Sequence, residues 1–505
     1  MSFRFPATVI AFLSIVWLKA IYPPASGLMD TDFFWHLTYG LWMVEHGAIP
    51  TVDFFSWTFS GMPYQITQWL GEAAIGIAYS LNGFAGTKLL SVALTAITIG
   101  FAWRAAARYV HTSVALCIAL ACNWLQIITP MRPQLFSFAM LAISTYLVVS
   151  WMETRRLKFL AIYPLAIAAW VNMHGGFVVG LILIFLLAAG LSIEAVAGKK
   201  LGDKETQRDL LLLWATGLIS VVATFLNPYG YKALATVIMI GGLQSSSVII
   251  EWQPVNLLTG LGWAYLSALI PFVGIIALTG VRPRISHALM ATFFLIFGVM
   301  ANRQVALCGA VMAPLIAAVL AKTPQYKKML PTFSNPSHPI AYVLIAVALV
   351  CSYPTIAAIG DTNLAKNINR QHPVAAADFL ETHKLTDRVL SDTLESSYLI
   401  HRGIPVFIDG RLDLYQDQFF FEWYLASKAT NGWDLLIDRY KPNSMLLRVD
   451  VALRQVALAS GDWKQVYEDE RYSILVPSPS PLPEEPPHRL KYLDGSGHLI
   501  RYFIP

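Results

Sequence analysis

Charge is scarce in this chain: Asp, Glu, Lys and Arg make up 13% of its 505 residues, whereas apolar residues make up 56%. The mean hydropathy is positive, which excludes an ordinary soluble globular protein, in which about a quarter of residues are charged. Cysteine is also rare. The four present, Cys117, Cys122, Cys308 and Cys351, lie in apolar runs without C-x-x-C spacing. That excludes a thiolate zinc site or redox pair and predicts packed or lipid-facing small residues. No glycine-rich loop joins a strand to a helix, so nucleotide binding is not expected. Nor does the net charge of +5 point to nucleic acid, because the basic residues cluster in short loops between apolar runs, where they set topology.

What the sequence has instead is long apolar runs. Segments able to cross a hydrocarbon core of about 30 Å occur near 7–23, 88–103, 114–130, 135–151, 158–173, 177–196, 210–226, 256–280, 286–302, 304–320 and 339–359. The run at 7–23 follows Arg4 as a signal peptide would, but lacks a small-residue cleavage site and is expected to be the first span. With the N-terminus cytoplasmic, alternate loops carry Arg104 and Arg108, then Arg155, Arg156 and Lys158, then Lys199, Lys200, Lys204 and Arg208, then Arg282 and Arg284, then Lys322, Lys327 and Lys328. All these basic loops fall on one side, as the positive-inside rule asks. The expected architecture is an all-α polytopic membrane protein of about eleven transmembrane helices, carrying a small C-terminal α/β domain on the extracytoplasmic side.

Two stretches outside the spans are long enough to hold structure. The first outer loop, 24–87, contains apolar Leu70, Ala73, Ala74, Ile77 and Leu81 at helical spacing, with Gln65, Gln68 and Glu72 on the other face. That pattern predicts an amphipathic helix over 65–83 lying in the membrane interface, one face on lipid and the other free for chemistry. From about Asp361 charge rises, and the runs RVLSD, PVFID, SMLLR and YSILVP alternate with the helical runs PVAAADFLETHKL and VALRQVALASG, predicting the α/β domain over 361–480. The end, 481–505, is a tail entered through the proline-rich PSPSPLPEEPP stretch at 477–487, expected to be extended. The domains are thus 1–360, 361–480 and 481–505.

Polar groups concentrate where outer loops meet the membrane. In MDTDFFWHLTYGLWMVEHG a helix starting after Asp32 would put Asp32, His36 and Tyr39 on one face. Asp30 or Asp32 could take a proton from a hydroxyl or, together, bind a divalent cation, and either could equally be the helix N-cap. Further mouths carry MRPQ with Arg132, WVNMHGG with His174, NPYG with Asn227, EWQP with Glu251, and NRQ with Arg303 and Gln304. Arg132 and Arg303 could grip phosphate oxygens, or simply snorkel to lipid headgroups. His174 either lines a cavity or is a satisfied interfacial histidine, while Asn227 reads as a helix terminus. In FIDGRLDLYQ, Asp409 and Arg411 follow a predicted strand and are candidate ligand contacts, although Asp409-Gly410 is also an ordinary turn.

An Asp-bearing loop straight after the first span, an amphipathic interfacial helix, short-looped spans and an outer C-terminal domain together resemble the GT-C superfamily of integral membrane glycosyltransferases. The likeness is strongest in DTDFFWH and QITQWLGEA, while Gln68 and Glu72 stand where bacterial lipid A and protein mannosyl transferases have a KPP or HPP pattern. This resemblance implies a polyprenyl-phosphate-linked sugar donor, an acceptor that is a lipid, glycan or protein, and inverting displacement at the anomeric carbon. It implies Asp30 or Asp32 as base, with Arg132 and Arg303 stabilising the leaving phosphate; His36 is expected in the catalytic set with the two aspartates, and Gln68, Glu72 and His174 among the substrate-binding residues. No cofactor is called for; a divalent cation is left open by the single Asp-x-Asp pair. The expected location is a bacterial inner membrane, with the C-terminal domain periplasmic and membrane lipids as surroundings. Other readings are a lipid-linked oligosaccharide ligase or polymerase, a transporter or flippase without covalent chemistry, and an envelope assembly protein. Transport is disfavoured because the ionisable residues sit at outer helix ends rather than at mid-membrane.

Overall fold

The computed structural model describes residues 30–329 and 371–479, with Phe12, Lys19, Ile368, His488 and Arg489 besides. The spans expected at 7–23 and 339–359, Cys351, the boundary at 360/361 and the proline-rich tail otherwise lie outside the described residues. The first half comprises α1 (Phe33–His46), α2 (Trp69–Ala106), α3 (Thr112–Asn123), α4 (Gln134–Thr154), α5 (Lys158–Trp170), α6 (Phe177–Ala197), α7 (Lys204–Ala223), α8 (Lys232–Gly241), α9 (Gly260–Thr279), α10 (Ile285–Met300) and α11 (Val305–Leu320).

Among the described residues six helical segments are long and apolar enough to cross a bilayer: Trp69–Ala106, Gln134–Thr154, Phe177–Ala197, Lys204–Leu226, Gly260–Thr279 and Asn302–Leu320. The protein is a multi-pass membrane protein. Four shorter apolar helices, α3, α5, α8 and α10, fall below that length. The expected span at 114–130 ends as a helix at Asn123 and resumes for one turn over Leu125–Ile128. α4 and Asn302–Leu320 form the centre of the bundle, each with 83% of its apolar window buried, whereas Gly260–Thr279 buries 28% and lies at the rim. α11 fits the centre because Ala306, Ala310, Ala313, Ala317 and Ala318 let neighbouring backbones approach. Of the cysteines, Cys122 and Cys308 are buried and Cys117 is exposed, all as free thiols.

α2 is two helical stretches separated by a break at Asn82 (φ −156°) and Gly83 (φ 54°), the second a positive φ that glycine takes without strain, so the helix expected over 65–83 begins at Trp69 and is distinct from the span that follows it. Its apolar Ile77 and Leu81 are exposed, in keeping with a lipid-facing side. The other face is not free: Glu72, Ile75 and Gly76 are buried against α1. The two helices touch backbone to backbone at Gly40 and Gly76, where a Cβ on either glycine would overlap main-chain atoms of the other helix.

The basic loops converge at one end of the bundle, where Arg155 pairs with Asp209 at 3.2 Å, Arg284 with Glu153 at 3.7 Å, and Lys322 donates to Arg282 O at 3.0 Å. Arg132 precedes the start of α4 and Arg155 follows its end, so the two ends of the bundle are separated by a helix of 21 residues, about 30 Å.

The C-terminal part is a five-stranded sheet of order β1-β2-β4-β3-β5, from β1 (Val389–Ser391), β2 (Ser444–Arg448), β3 (Trp463–Glu468), β4 (Tyr472–Pro477) and β5 (His488–Arg489). β1 pairs parallel with β2, placing Val389 opposite Ser444, while β4 runs antiparallel to both β2 and β3. Around the sheet lie α12 (Val374–Thr382), α13 (Thr393–His401), α14 (Leu412–Ser427), α15 (Trp433–Tyr440) and α16 (Ala452–Ser460). The expected strand in PVFID is reduced to single bridges, from Val406 to both Val389 and Ser56. The reason is that this segment pairs with the first outer loop: Val406 N donates to Phe55 O, and Trp57 N to Val406 O, both at 3.0 Å. Trp57 Nε1 donates to Val389 O at 3.0 Å and Thr58 Oγ1 to Phe407 O at 2.7 Å, so the outer loop and the C-terminal part are stitched into one body.

Candidate active site

A cavity of about 780 Å³ opens between one end of the membrane helices, the end opposite the basic loops, and the C-terminal part. It is bounded by the start of α1, the segment 64–68, the mouths of α4, α6 and α11, α8, and residues of α13 and α14. Its wall is apolar along Val178, Val179, Ile182, Val237, Ile240 and Leu307, and polar around Asp32, His36, Arg132, His174 and Arg303.

Asp32 occupies the N-cap position of α1, yet its side chain makes no capping bond. Asp30 supplies the local turn instead, its Oδ1 accepting from Asp32 N at 2.8 Å. Both carboxylates turn to one guanidinium: Arg132 Nε lies 2.9 Å from Asp30 Oδ2, Nη2 bonds Asp32 Oδ2, and Nη1 lies 2.5 Å from Glu251 Oε1. One arginine thus joins three carboxylates from two loops. Burial, with Asp32 and Glu251 adding to it, pushes Asp30 up to about 7 against the pull of Arg132. A site with three acids around one cation retains a proton near neutrality. Asp32 Oδ1 has no hydrogen bond among the described residues and faces Gly410, where a Cβ would sit 2.6 Å away.

Arg303 is arranged differently. Its guanidinium stands 4.4 Å from the ring centroid of Trp252 and makes no hydrogen bond or ion pair among the described residues, while its backbone O accepts from Gln134 Nε2 at 3.0 Å. Of the two arginines the sequence singles out, one is clamped and the other presents an unpaired fork to the cavity.

His36 Nδ1 lies 3.1 Å from Glu72 Oε1, which also accepts from Gln68 Nε2 at 3.0 Å. His174 Nδ1 accepts from Gly176 N at 3.0 Å and lies 2.7 Å from Ser137 Oγ, itself the acceptor of Trp170 Nε1. Burial, reinforced by the charge of Arg132, holds His36 well below the ordinary histidine value; burial with Arg303 and Arg132 brings His174 down to about 3. Both imidazoles are therefore neutral at physiological pH.

Asp409 and Arg411 line the same cavity, but both side chains are fully buried and engaged with each other. Arg411 Nη1 donates to Asp53 Oδ1 and Tyr39 Oη, and Nη2 to Asp409 Oδ2, all at 2.6 Å. Tyr415 Oη donates to Asp409 Oδ2 at 2.8 Å. Asn227 ties 67 and 171–172 together through Nδ2, at 2.9 Å from Thr67 O. Among the described residues no group of three or more His, Cys, Asp or Glu side chains is placed to hold a metal ion.

Sequence reading brought most of these residues to one side of the membrane but not to their partners. Trp35, Trp252 and Gln304 belong to this cavity without having been assigned to it, although EWQP and NRQ marked the places of two of them. α8 was not expected at all; its run ALATVIMIG is the signal that would have found it.

No family model matches the chain, and no curated protein does. Solved structures do match its fold. ArnT from Cupriavidus metallidurans in the apo state is 14% identical, with 92% of this chain and 97% of that one covered at a TM-score of 0.50. The archaeal oligosaccharyltransferase AglB from Archaeoglobus fulgidus, in complex with an inhibitory peptide and a dolichol-phosphate, is 11% identical, with 88% and 69% covered at a TM-score of 0.57. The chain therefore shares the fold of these two structures.

Proposed function

We propose that this protein is a membrane glycosyltransferase that moves a sugar from a polyprenyl-phosphate-linked donor to an acceptor hydroxyl on the extracytoplasmic side. The observation that carries this reading is the unpaired guanidinium of Arg303, stacked on Trp252 in a cavity that also holds the Arg132 carboxylate clamp. An arginine fork without a protein partner suits a phosphate oxygen, and the apolar wall nearby suits a lipid chain. The fold shared with ArnT and with AglB, whose structure holds a dolichol-phosphate, supports the same class of reaction.

In this reading Asp32 Oδ1 takes the proton of the acceptor hydroxyl as its oxygen bonds to the anomeric carbon. The bond from that carbon to the phosphate oxygen breaks, the electron pair leaves with the lipid phosphate, and Arg303 receives the charge. Arg132 holds Asp32 through Oδ2 and leaves Oδ1 for the proton. By the positive-inside rule the basic loops are cytoplasmic, which puts the cavity and the C-terminal part on the outer face.

The experiment is to purify the wild type with its Asp32→Asn and Arg303→Ala variants and follow release of polyprenyl phosphate from lipid-linked sugars with a panel of acceptors. Transfer by the wild type, lost in Asp32→Asn with donor binding retained, is the expected result. If the wild type binds no polyprenyl-phosphate-linked sugar, the reading fails.

A further inference from the structure

Two histidines border this cavity, each with one ring nitrogen bonded to protein. With Nδ1–H of His36 donating the 3.1 Å contact to Glu72 Oε1, which also accepts from Gln68, the lone pair of His36 is on Nε2. For His174 the order is reversed: Nδ1 accepts from the Gly176 amide at 3.0 Å, and the proton is on Nε2. Neither Nε2 has a protein partner among the described residues. Trp35 Nε1 and Gln304 Oε1 are also unmatched, but both atoms are covered and do not open on the cavity.

Two neutral groups, the donor Nε2–H of His174 and the acceptor Nε2 of His36, thus face one space. Buried polar groups are ordinarily satisfied, so their common vacancy points to a ligand that both gives and takes hydrogen bonds. A phosphate dianion gives none: its oxygens suit Arg303 and His174 Nε2–H but are repelled by the lone pair of His36 Nε2. A hydroxyl does both.

We propose that His36 and His174 form a polyol subsite that binds the sugar of the donor, with His36 Nε2 accepting a hydrogen bond from one of its hydroxyls. The assignment to the donor's sugar rests on the function proposed above and on His174, whose imidazole feels the charges of Arg303 and Arg132, so the subsite adjoins the place where the phosphate would sit. The neutrality of both imidazoles fits a hydroxyl rather than an ion. His36 is tied to the glutamate behind it, and its tautomer is set by α2, not by solvent.

The test compares binding of polyprenyl phosphate with that of polyprenyl-phosphate-linked sugars to the full chain at about pH 8, where the phosphate is past its second pKa of ~6. His36→Leu should leave the affinity for polyprenyl phosphate unchanged and lower that for the sugar-bearing lipid about tenfold, the ~1.4 kcal/mol of one hydrogen bond. His36→Asn, which offers an amide oxygen, should recover part of it. Loss of affinity for both lipids, or for neither, would overturn the proposal. A wild type that binds polyprenyl phosphate and its sugar-linked form equally sinks the subsite alone, whereas one that binds neither sinks the glycosyltransferase reading. Nitrogen-15 shifts of labelled histidine, assigned with the same variants, must show His36 protonated at Nδ1 and His174 at Nε2; any other pair of tautomers also overturns it.

Discussion

Gly410 and Asp32, 378 positions apart in the sequence, are in van der Waals contact: a Cβ at 410 would lie 2.6 Å from Asp32 Oδ1 and 3.4 Å from Trp35 Nε1. The turn after PVFID is therefore a wall of the acidic site, held by the bridge from Val406 to the outer loop. Gly410→Ala is expected to push Asp32 off its position and reduce the rate of sugar transfer by tenfold or more, since displacements of about 1 Å carry costs of that order or larger. Turnover at saturating donor measures it, with a melting curve as control. Unchanged turnover would show that the turn does not fix Asp32.

Arg303 and Arg132 should fail in different ways. Arg303→Ala removes a guanidinium with no protein partner, so donor affinity should fall by roughly 10- to 100-fold, the ~1.5–3 kcal/mol of a charge-assisted hydrogen bond, with little change in melting temperature. Arg132→Met strips the counter-charge from Asp30, Asp32 and Glu251 and should lower the melting temperature outright. Calorimetric titration with polyprenyl phosphate and thermal melting separate the two; equal destabilisation by both would contradict the assignment.

Asp30 predicts the pH response. Its folded value of about 7 exceeds the unfolded value of about 4, so the folded state holds the extra proton between those limits and stability falls as pH rises through that window. Ionisation near 7 also adds a negative charge to the cavity in which the phosphate is proposed to bind. Donor affinity should therefore weaken severalfold from about pH 6 to pH 8, and Asp30→Asn should flatten that dependence. A wild-type profile that is flat, or that rises with pH, would sink this account.

The His36–Glu72 contact depends on a crossing one helical turn away. Gly40 and Gly76 follow His36 and Glu72 by four residues each, on the same faces, and their backbones touch. Gly40→Ala should separate α1 from α2, lengthen the 3.1 Å contact and destabilise by about 1–3 kcal/mol, as overpacking does. The measurement is the melting temperature together with the His36 nitrogen shift, which should move toward the other tautomer. An unmoved shift would show that the glycine pair does not set it.

How far the sequence discloses this site follows from the range of each interaction. Asp30, Asp32 and His36 are legible because helix spacing and their position after an apolar run are local properties. The difference between Arg132 and Arg303 is not, since it rests on Glu251, which is 119 residues from Arg132 and reaches it only through the bundle. Glu72 was read correctly as sharing a face with Gln68, but helical periodicity cannot say whether a polar face meets water or another helix; here Gly40 supplies the partner. PVFID has the composition of a strand and loses that form because its hydrogen bonds go to Phe55 and Trp57 in a loop 350 residues earlier. The strands RVLSD, SMLLR and YSILVP were legible because they pair among themselves.

Arg411 supplies the strongest stability prediction, since it was read as a ligand contact and is found at 0% side-chain exposure between Asp53 and Asp409, also at 0%. Arg411→Met keeps the length of the side chain but leaves two buried carboxylates without a counter-charge. Breaking such a pair costs about 3–5 kcal/mol, so the melting temperature should drop by several degrees and the outer loop should become open to protease. Arg411→Met combined with Asp53→Asn and Asp409→Asn removes the orphaned charges and should recover much of the loss, because replacing a whole buried ion cluster is far milder than breaking it. If the single variant melts with the wild type, the cluster does not hold the outer loop to the C-terminal part. If the triple variant is no better than the single one, the loss comes from packing around Tyr39 and Tyr415 and not from charge.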